Sequence, residues 1–330
     1  MGEASWSEYD GCRYPTGAGY SYGFPEEDYH RGLVMTRVPD ESGAPVLEES
    51  LSYSGAKLLI PPSTPLKFKE HVRRSSKAFD FGHAAHLNVL GVGAPVEFLP
   101  TTGWLTKDGK PAVNYALTEG YRTAKAEIEA RGHIALNEND MAVLKAMEDR
   151  LRATETALDY LTGAGESEVS IWAQDPVVGC WLRGRVDHWN QARNVFVDYK
   201  TCASDVHPMV VGAEVWKRHY ELQAAWYLGL AELLSLDVQD FVFVCQEKTP
   251  PYEVAAIRLD AASLNKGVRE RRAAIDLWAT CMETGVWPGI EDKLHTVGLP
   301  SRVFYLPGEA DTSEADALER LLEEGVNNGD

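Results

Sequence analysis

Two aspartates and a lysine stand at the ends of two short apolar segments that a turn separates. The first segment ends at Asp187, and the second runs from Val195 through Asp198 to Lys200. Side chains alternate along a strand, so Asp198 and Lys200 should share one face with Phe196. A hairpin that turns near residue 192 would place Asp187 opposite residue 197 or 198, with Cβ atoms about 5 Å apart. We therefore expect two carboxylates and one ammonium group to meet at one point.

Such a group could perform metal-assisted hydrolysis. Two close carboxylates repel each other and favour either a shared proton or a divalent cation. Mg²⁺ is the expected cation, with Mn²⁺ as a substitute, because Mg²⁺ prefers a few carboxylates together with several waters. A water bound there can attack a phosphodiester in line, while Lys200 orients the nucleophile or shares the developing charge. The alternative is a surface ion pair between Asp198 and Lys200, which would contribute little.

The acid-x-Lys triplet alone is weak evidence, since the sequence contains three. Asp108 to Lys110 lies in a turn-like segment and Glu291 to Lys293 lies in a polar one, whereas Asp198 ends an apolar strand. The second acid, Asp187, also favours the chemical interpretation over the surface pair.

The elements that must position these residues change in type along the chain. Helical spacing comes first, followed by a cluster of strand candidates and then by alternation of helix and strand, which predicts a mixed sheet with helices around it. A short predicted helix is capped by Ser52 or Ser54 and ends at residue 59. The other predicted helices cover residues 79–90, 114–132, 140–161, 215–234 and 262–283. The predicted strands cover residues 168–173, 180–189, 195–201, 241–246 and 252–259.

The charge of the chain is acidic but unevenly distributed. Thirty-two Lys and Arg against fifty Asp and Glu leave a net charge of −18. Residues 1–50 and 309–330 each carry −7, so residues 51–308 carry only −4. We predict an irregular acidic arm over 1–50, a catalytic domain over 51–308 and an acidic tail over 309–330. Bulk attraction to nucleic acid is excluded, but a local groove is not.

One locally basic strip and the cysteines complete the composition. Residues 66–77 hold five Lys or Arg against one Glu. They form either a solvated helix face or a strip that contacts phosphates through Lys67, Lys69, Arg73 and Arg74. The five cysteines show no C-x-x-C spacing, so no disulfide frame, zinc site or iron–sulfur cluster is expected. The sequence shows no signal peptide and no apolar run of about 20 residues, which predicts a soluble intracellular protein without membrane contact.

Several blocks, in order, resemble the PD-(D/E)XK nuclease superfamily and, within it, the RecE-type exonuclease VIII domain of phages and prophages. The matching blocks are Leu51–Ser54, Phe81–His86, Glu168–Trp172, Arg185–Asp187, Asp198–Thr201, Gln223–Tyr227, Gln246–Pro251 and Trp287–Gly289. The resemblance spans about Leu51 to Leu306. It implies an α/β fold with a restriction-endonuclease-like core, in which helices flank a central mixed β-sheet. The usual Pro before the first Asp is absent, because Val186 stands there.

The resemblance also implies roles for individual residues. Asp187, Asp198 and Lys200 would be catalytic, with Gln223 orienting Lys200 or a phosphate. The metal ligands would be Asp187 and Asp198 with His86, which the alignment favours over His83. Glu168 could be a further ligand or only a charge at the strand edge. Tyr227, one helical turn after Gln223, would contact the DNA backbone, and Arg183 and Arg185 are candidate phosphate contacts because a guanidinium fork suits phosphate oxygens.

The implied activity is Mg²⁺-dependent, processive degradation of linear double-stranded DNA from 5′ to 3′, leaving a 3′ single strand for recombination. A homotetrameric ring, a single-strand annealing partner of RecT type and the cytoplasm of a bacterial host are implied in the same way. Two alternatives stay open. One is a Cas4-like or RecB-like single-strand nuclease, whose iron–sulfur version the scattered cysteines disfavour. The other is a catalytically silent protein that binds DNA ends, which the intact Asp187, Asp198 and Lys200 disfavour.

Overall fold

A mixed β-sheet with helices on both faces organises the part of the chain that the structure describes. The structure is a computed structural model that describes residues 2–38, 44–72, 77–203 and 205–298. Its strands are β1 (Trp6–Tyr9), β2 (Cys12–Pro15), β3 (Gly19–Ser21), β4 (Leu33–Arg37), β5 (Val46–Ser52), β6 (Val96–Phe98), β7 (Ile134–Leu136), β8 (Gly165–Gln174), β9 (Trp181–Asn190), β10 (Val195–Cys202), β11 (Asp240–Glu247) and β12 (Val254–Arg258). Its helices are α1 (Glu26–Arg31), α2 (Tyr53–Leu59), α3 (Pro65–Lys69), α4 (Lys77–Leu90), α5 (Glu119–Ala130), α6 (Glu138–Arg152), α7 (Glu155–Thr162), α8 (Val211–Arg218), α9 (Tyr220–Leu233) and α10 (Ala261–Thr284).

The central sheet has eight strands in the described part of the chain. Its main path runs β12-β11-β10-β9-β5-β4, and β8 pairs with both β9 and β3. The pairs β10/β11 and β5/β9 are parallel, whereas β8/β9, β9/β10 and β11/β12 are antiparallel. The predicted α/β class with a central mixed sheet flanked by helices is therefore confirmed.

Strand β9 is the centre of a fork in this sheet. One edge of β9 pairs along its length with β8. The other edge pairs with β5 over residues 181–183 and with β10 over residues 188–190, so residues 184–187 lie in the gap between these two partners. Helix α9 crosses this gap, where the Trp226 indole donates to the Arg183 carbonyl oxygen at 2.9 Å and the Tyr227 hydroxyl donates to the Arg185 carbonyl oxygen at 2.8 Å. Side chains of α9 thus donate hydrogen bonds to two β9 carbonyl groups at the fork.

Two hydrophobic cores cover the two faces of the sheet. On one face, Phe196 and Phe243 pack with buried residues of α2, α9 and α10. On the other, Val197 and Tyr199 pack with buried residues of α4, α6 and α7. Because side chains alternate along β10, Asp198 and Lys200 lie on the same face as Phe196, beneath α9.

The predicted elements agree with the structure except where helices are shorter or interrupted. The helix predicted over 114–132 is α-helical only in α5, after the N-cap Thr118. Helix α2 begins after Ser52, whose side chain accepts a hydrogen bond from the Gly55 amide as an N-cap. The helix predicted over 140–161 is two helices, α6 and α7, separated at residues 153 and 154. The helix predicted over 215–234 is also two, because His219 adopts a left-handed conformation with φ 58° between α8 and α9.

The prediction of an irregular arm over residues 1–50 is wrong. Strands β3, β4 and β5 of this segment join the central sheet, and the predicted boundary at residue 50 falls inside β5. Phe24 and Tyr29 are buried, and both rings contact Trp172 edge-on. The acidic composition suggested an irregular arm, but these acidic side chains are largely exposed, and a few aromatic and aliphatic residues are enough to pack the segment against the sheet.

Residues 1–289 form one compact unit, and a second unit begins at Ile290. The predicted acidic tail over 309–330 and the predicted boundary at 308 lie outside the described residues. Among the residues described, no helix combines the length and the apolar character needed to cross a membrane.

Candidate active site

The hairpin of β9 and β10 brings Asp187 and Asp198 together as predicted. Phe196 pairs with Trp189 and Val197 pairs with His188, so the next positions in the same register are Asp198 and Asp187. The strands separate at this point, and an Asp187 carboxylate oxygen accepts a hydrogen bond from the Tyr199 amide at 2.9 Å. The Asp187 carboxylate therefore joins β9 to β10 at the point where the two strands separate.

Asp198 links Lys200 to helix α9. Its Oδ2 lies 2.5 Å from the Lys200 Nζ, and its Oδ1 accepts a hydrogen bond from the Gln223 Nε2 at 2.6 Å. The Asp198 side chain is 6% exposed, whereas the Lys200 side chain is 24% exposed and so keeps a path to solvent. Gln223 thus contacts Asp198 directly, and it is linked to Lys200 through the Asp198 carboxylate.

Glu168 completes the acidic group through an unusual backbone conformation. Ser167 pairs with His188 and Val169 pairs with Val186, which places Glu168 opposite Asp187 at a position where the pairing is skipped. Glu168 has φ 54°, a left-handed conformation that is uncommon for a residue other than glycine. Such strain is concentrated at functional sites, where the surrounding structure maintains it. Of the two interpretations of Glu168, the structure favours membership of the acidic group.

His86 reaches the same group from helix α4. Its Nδ1 lies 3.5 Å from the Asp187 Oδ2, and its ring contacts the Tyr199 ring edge-on at 5.3 Å between centroids. One ligand atom each from His86, Glu168 and Asp187 lie within 4.8 Å of one another. His83, one turn earlier on α4, is not part of this group.

Burial and mutual repulsion shift the protonation of this group. Burial raises the pKa of Asp187 to about 6. Burial and then the Asp187 charge raise the pKa of Asp198 to about 6 and that of Glu168 to about 8. Burial lowers the pKa of His86 to about 4, so its imidazole is neutral and can bind a metal. Burial opposes the charge of Lys200, but Asp198 and Asp187 outweigh burial and raise its pKa, which keeps the ammonium charged.

These residues fit a divalent cation. Carboxylates whose pKa is raised by crowding gain most from a cation between them. His86, Glu168 and Asp187 supply one imidazole nitrogen and two carboxylates on one side of the fork. The Gln223 Oε1 is buried next to Asp198, has no hydrogen-bond partner among the described residues, and can bind a water or a ligand. Asp198, also predicted to bind metal, adjoins this group but uses one oxygen for Gln223 and the other for Lys200.

The arginines predicted to bind phosphate have partners within the protein instead. The Arg183 guanidinium donates to the backbone oxygen and hydroxyl of Ser50 and lies 5.6 Å from the Tyr29 ring centroid. Arg185 donates to the Ser170 hydroxyl at 2.9 Å and to the Phe24 carbonyl oxygen at 2.6 Å. These contacts tie the N-terminal segment to β9, and the geometry does not support a phosphate contact by either arginine.

The other predicted DNA contacts are divided between core and surface. Tyr227 is 7% exposed, and its hydroxyl points at the Arg185 carbonyl oxygen, so its side chain faces the sheet and not solvent. Lys67 and Lys69 are exposed on α3, where the Lys69 Nζ lies 5.3 Å from the Trp287 ring centroid. Arg73 and Arg74 lie outside the described residues.

Sequence reasoning missed Lys57, which lies near the charged group. Its Nζ lies 5.5 Å from the Tyr53 ring centroid on α2. Burial lowers the pKa of Lys57, and the positive charges of Lys200 and Arg218 lower it further, which identifies these three residues as electrostatic neighbours. No local spacing in the sequence relates residue 57 to residue 200. Only the resemblance of the neighbouring Leu51–Ser54 block to the nuclease family suggested that this helix lies near the site.

Comparisons with known proteins find one matching family and two weak structural likenesses. A family model described as a PDDEXK-like domain of unknown function (DUF3799) matches residues 65–296. The solved structure of a candidate exonuclease from Eubacterium rectale is 12% identical and covers 77% of this chain and 92% of its own, with a TM-score of 0.49. The structure of the protein SSO0001 is 21% identical and covers 39% of this chain and 58% of its own, with a TM-score of 0.25. No curated protein matches the sequence. Both structural likenesses are too weak to identify an activity, whereas the family match includes His86, Glu168, Asp187, Asp198, Lys200 and Gln223.

Proposed function

Because this chain belongs to the PDDEXK-like domain family of unknown function (DUF3799), we propose that it is a divalent-metal-dependent nuclease that hydrolyses phosphodiesters of linear double-stranded DNA. The observation that carries the proposal is the convergence of His86, Glu168 and Asp187 at the fork of the sheet, next to the Asp198–Lys200 pair. A silent DNA-binding protein would have no need of a strained Glu168 opposite a second buried acid.

His86, Glu168 and Asp187 would hold the metal ion, which we propose is Mg²⁺, with Mn²⁺ as a substitute. When bound, the ion supplies a water of lowered pKa and a positive charge against the phosphate. The neutral imidazole of His86 suits this role because it keeps a lone pair for the cation. Asp198 would become a further metal ligand if the Lys200 ammonium turned away from it and toward the substrate.

Lys200 acts as a charge stabiliser and not as a proton acceptor. Its raised pKa keeps the ammonium charged throughout the neutral range. Since Asp198 accepts hydrogen bonds from Gln223 and Lys200 together, it fixes the direction from which the ammonium approaches a phosphate oxygen. A preorganised cation in a buried site stabilises the transition state more than the same cation in water.

The chain as a whole is acidic, but Lys57, Arg218 and Lys200 provide positive charge close to the acidic group. Lys57 lies on α2 and Arg218 at the end of α8, so both helices present a cation beside the acidic group. We assign the phosphates that flank the scissile bond to these two residues, with Lys67 and Lys69 further along α3. The basic side chains thus form a local groove in an acidic protein.

A substrate comparison tests this function. Linear duplex, circular duplex and single-stranded DNA are each incubated with the protein in Mg²⁺ or in EDTA. We expect loss of the linear duplex only, and no loss in EDTA. Duplexes labelled at the 5′ or the 3′ end give the polarity, because 5′ to 3′ digestion releases the 5′ label first. Failure to digest any substrate would refute an enzymatic function, and selective loss of single strands would favour a RecB-like enzyme.

The finer features of the proposal come from the sequence resemblance. The product would be a 3′ single strand that a RecT-type annealing protein receives, and a homotetrameric ring would hold the duplex during processive digestion. Light scattering of the purified protein, alone and with duplex, tests the tetramer. A monomer that digests DNA in a distributive manner would remove the ring from the proposal and leave the nuclease intact.

A further inference from the structure

A second group of potential metal ligands lies where α9 meets α10, and it does not belong to the candidate active site. One ligand atom each from His219, Glu221 and Glu270 lie within 4.8 Å of one another. His219 is 8% exposed and Glu221 is 2% exposed, which is unusual burial for a carboxylate. Glu270, on α10, keeps a 23% exposed side chain. The group therefore has a buried floor and one open side.

The described partners leave this group incompletely satisfied. The Lys266 Nζ lies 2.6 Å from the Glu221 Oε1 and 2.5 Å from the Glu270 Oε1. The other oxygen of each carboxylate and the His219 Nδ1 are buried without hydrogen-bond partners. A buried polar atom without a partner is costly, and three of them at one point indicate a missing ligand. A cation that accepts lone pairs from all three atoms would satisfy them together.

The backbone holds these ligands rigidly. His219 stands between α8 and α9 in the left-handed conformation, which turns the chain at the point where its side chain enters the group. A Cβ atom at Gly267 would lie 2.0 Å from the Glu221 carbonyl oxygen, so the backbones of α9 and α10 touch beside the group. Residues 266 and 270, on either side of Gly267, are therefore held against Glu221.

We propose that His219, Glu221 and Glu270 bind one divalent transition-metal ion, with Zn²⁺ as the best fit, in exchange for the Lys266 ammonium. One imidazole nitrogen and two carboxylates are donor types that Zn²⁺ binds, and a water can complete its tetrahedral coordination. At the fork the Asp198 carboxylate adjoins the imidazole and the other two acids, which favours Mg²⁺. Among the described residues the second group holds only two carboxylates, so Mg²⁺ and Ca²⁺, which prefer more oxygen ligands, fit it less well. Lys266 is 38% exposed and can turn into solvent when the ion enters.

The bound ion would join α10 to the first turn of α9. Glu221 lies two residues before Gln223, which donates to Asp198 in the candidate active site. The site is thus structural and is placed to stabilise the helix that orients the catalytic carboxylate. It stands apart from the proposed nuclease activity, because none of its three ligand residues belongs to the group at the fork.

Zinc titration of the full chain tests this site. A His86→Ala/Asp187→Asn variant first removes the ligands at the fork, so that calorimetry with Zn²⁺ reports the second site alone. We expect binding of one equivalent, loss of that binding when Glu221→Gln/Glu270→Gln is added, and no comparable heat with Mg²⁺. Absence of zinc binding in the first variant, or zinc binding that survives the added substitutions, would overturn the proposal.

If the Glu221→Gln/Glu270→Gln variant does not fold, Lys266→Met provides a second test of the zinc site. Without the competing ammonium, zinc should bind on the order of tenfold more tightly, which corresponds to about 1.4 kcal/mol. The metal-free Lys266→Met protein should melt at a lower temperature than the parent, and Zn²⁺ should restore its Tm. If zinc neither binds more tightly nor raises the Tm, Lys266 is the only cation of this group. Anomalous scattering at the zinc edge gives the position of the ion directly.

Discussion

Replacing Glu168 with glutamine should change stability and metal binding in opposite directions. Glutamine has nearly the same shape and retains the left-handed backbone, so the substitution removes the charge while keeping the strain. In the metal-free protein, burial and the charge of Asp187 oppose the ionisation of Glu168. Its removal should therefore stabilise the metal-free fold, while the loss of a ligand should weaken metal binding.

The sign and size of the effect on stability follow from the pKa of Glu168. In the unfolded chain Glu168 ionises near its ordinary value of 4.5, whereas in the folded chain its pKa is about 8. Between these values the folded state binds more protons, so the free energy of unfolding falls as pH rises, and the full penalty is present above pH 8. A pKa shift of this size corresponds to about 4–5 kcal/mol at about 1.36 kcal/mol per pH unit. Because water reaches a quarter of the Glu168 side chain, we expect about 2 kcal/mol.

Urea denaturation in EDTA at pH 6.5, 7.5 and 8.5 measures this effect. We expect the wild-type protein to lose stability relative to Glu168→Gln across this range, and the variant to be more stable at pH 8.5 by about 2 kcal/mol. Asp187 and Asp198 titrate in both proteins, so the difference between the two proteins isolates Glu168. Glu166→Gln, an exposed position two residues earlier on β8, is the matched control and should leave the profile unchanged.

Addition of Mn²⁺ should then reduce the stability advantage of the variant. An ion present at 100 times its Kd stabilises the folded state by about 2.7 kcal/mol, and the variant should gain less than the wild type. If Glu168→Gln shows the wild-type pH profile in EDTA and the wild-type gain with Mn²⁺, Glu168 is not part of a crowded acidic group. The metal site inferred at the fork would then be wrong.

Three further substitutions address the roles of single residues. Lys200→Ala should lower the rate of DNA hydrolysis on the order of 10²-fold with the fold intact, because it removes one preorganised cation; steady-state kinetics and circular dichroism measure this. Tyr227→Phe should lower the free energy of unfolding by about 1–3 kcal/mol, because the buried Arg185 carbonyl oxygen loses its donor; it should leave the salt dependence of DNA binding unchanged. Lys57→Ala should weaken DNA binding and reduce the slope of log K against log salt by about 1.

Each of these predictions has an outcome that would contradict it, and Lys57→Ala also has a matched control. Lys145→Ala removes an exposed lysine that pairs with Asp149 on α6, and it should leave the salt slope unchanged. A Lys57→Ala slope equal to that of Lys145→Ala would remove Lys57 from the DNA interface. A Tyr227→Phe protein of wild-type stability but reduced salt slope would restore the predicted backbone contact. A wild-type rate for Lys200→Ala would exclude Lys200 from the mechanism.

The parts of the site that depend on local periodicity could be predicted from the sequence. Alternation along β10 is a property of the extended backbone, so it placed Asp198 and Lys200 beside Phe196 before any contact was known. A short turn between two apolar strands determines the hairpin register, which brings Asp187 opposite Asp198. The cap at Ser52 and the helical spacing over 262–283 depend on near neighbours in the same way.

Only the tertiary structure decided which distant residues join this hairpin. The left-handed conformation of Glu168 depends on pairing with β9, and no residue next to it in the sequence requires that conformation. Lys57 approaches Lys200 because α2 and β10 pack around one core. Arg183 was predicted to contact DNA. In the structure it binds the N-terminal segment instead, because Ser50 and Tyr29, more than a hundred residues away in the sequence, pack on its guanidinium. Periodicity specifies the face on which a side chain lies, but the packing of distant elements decides what that side chain meets and therefore its charge and its chemistry.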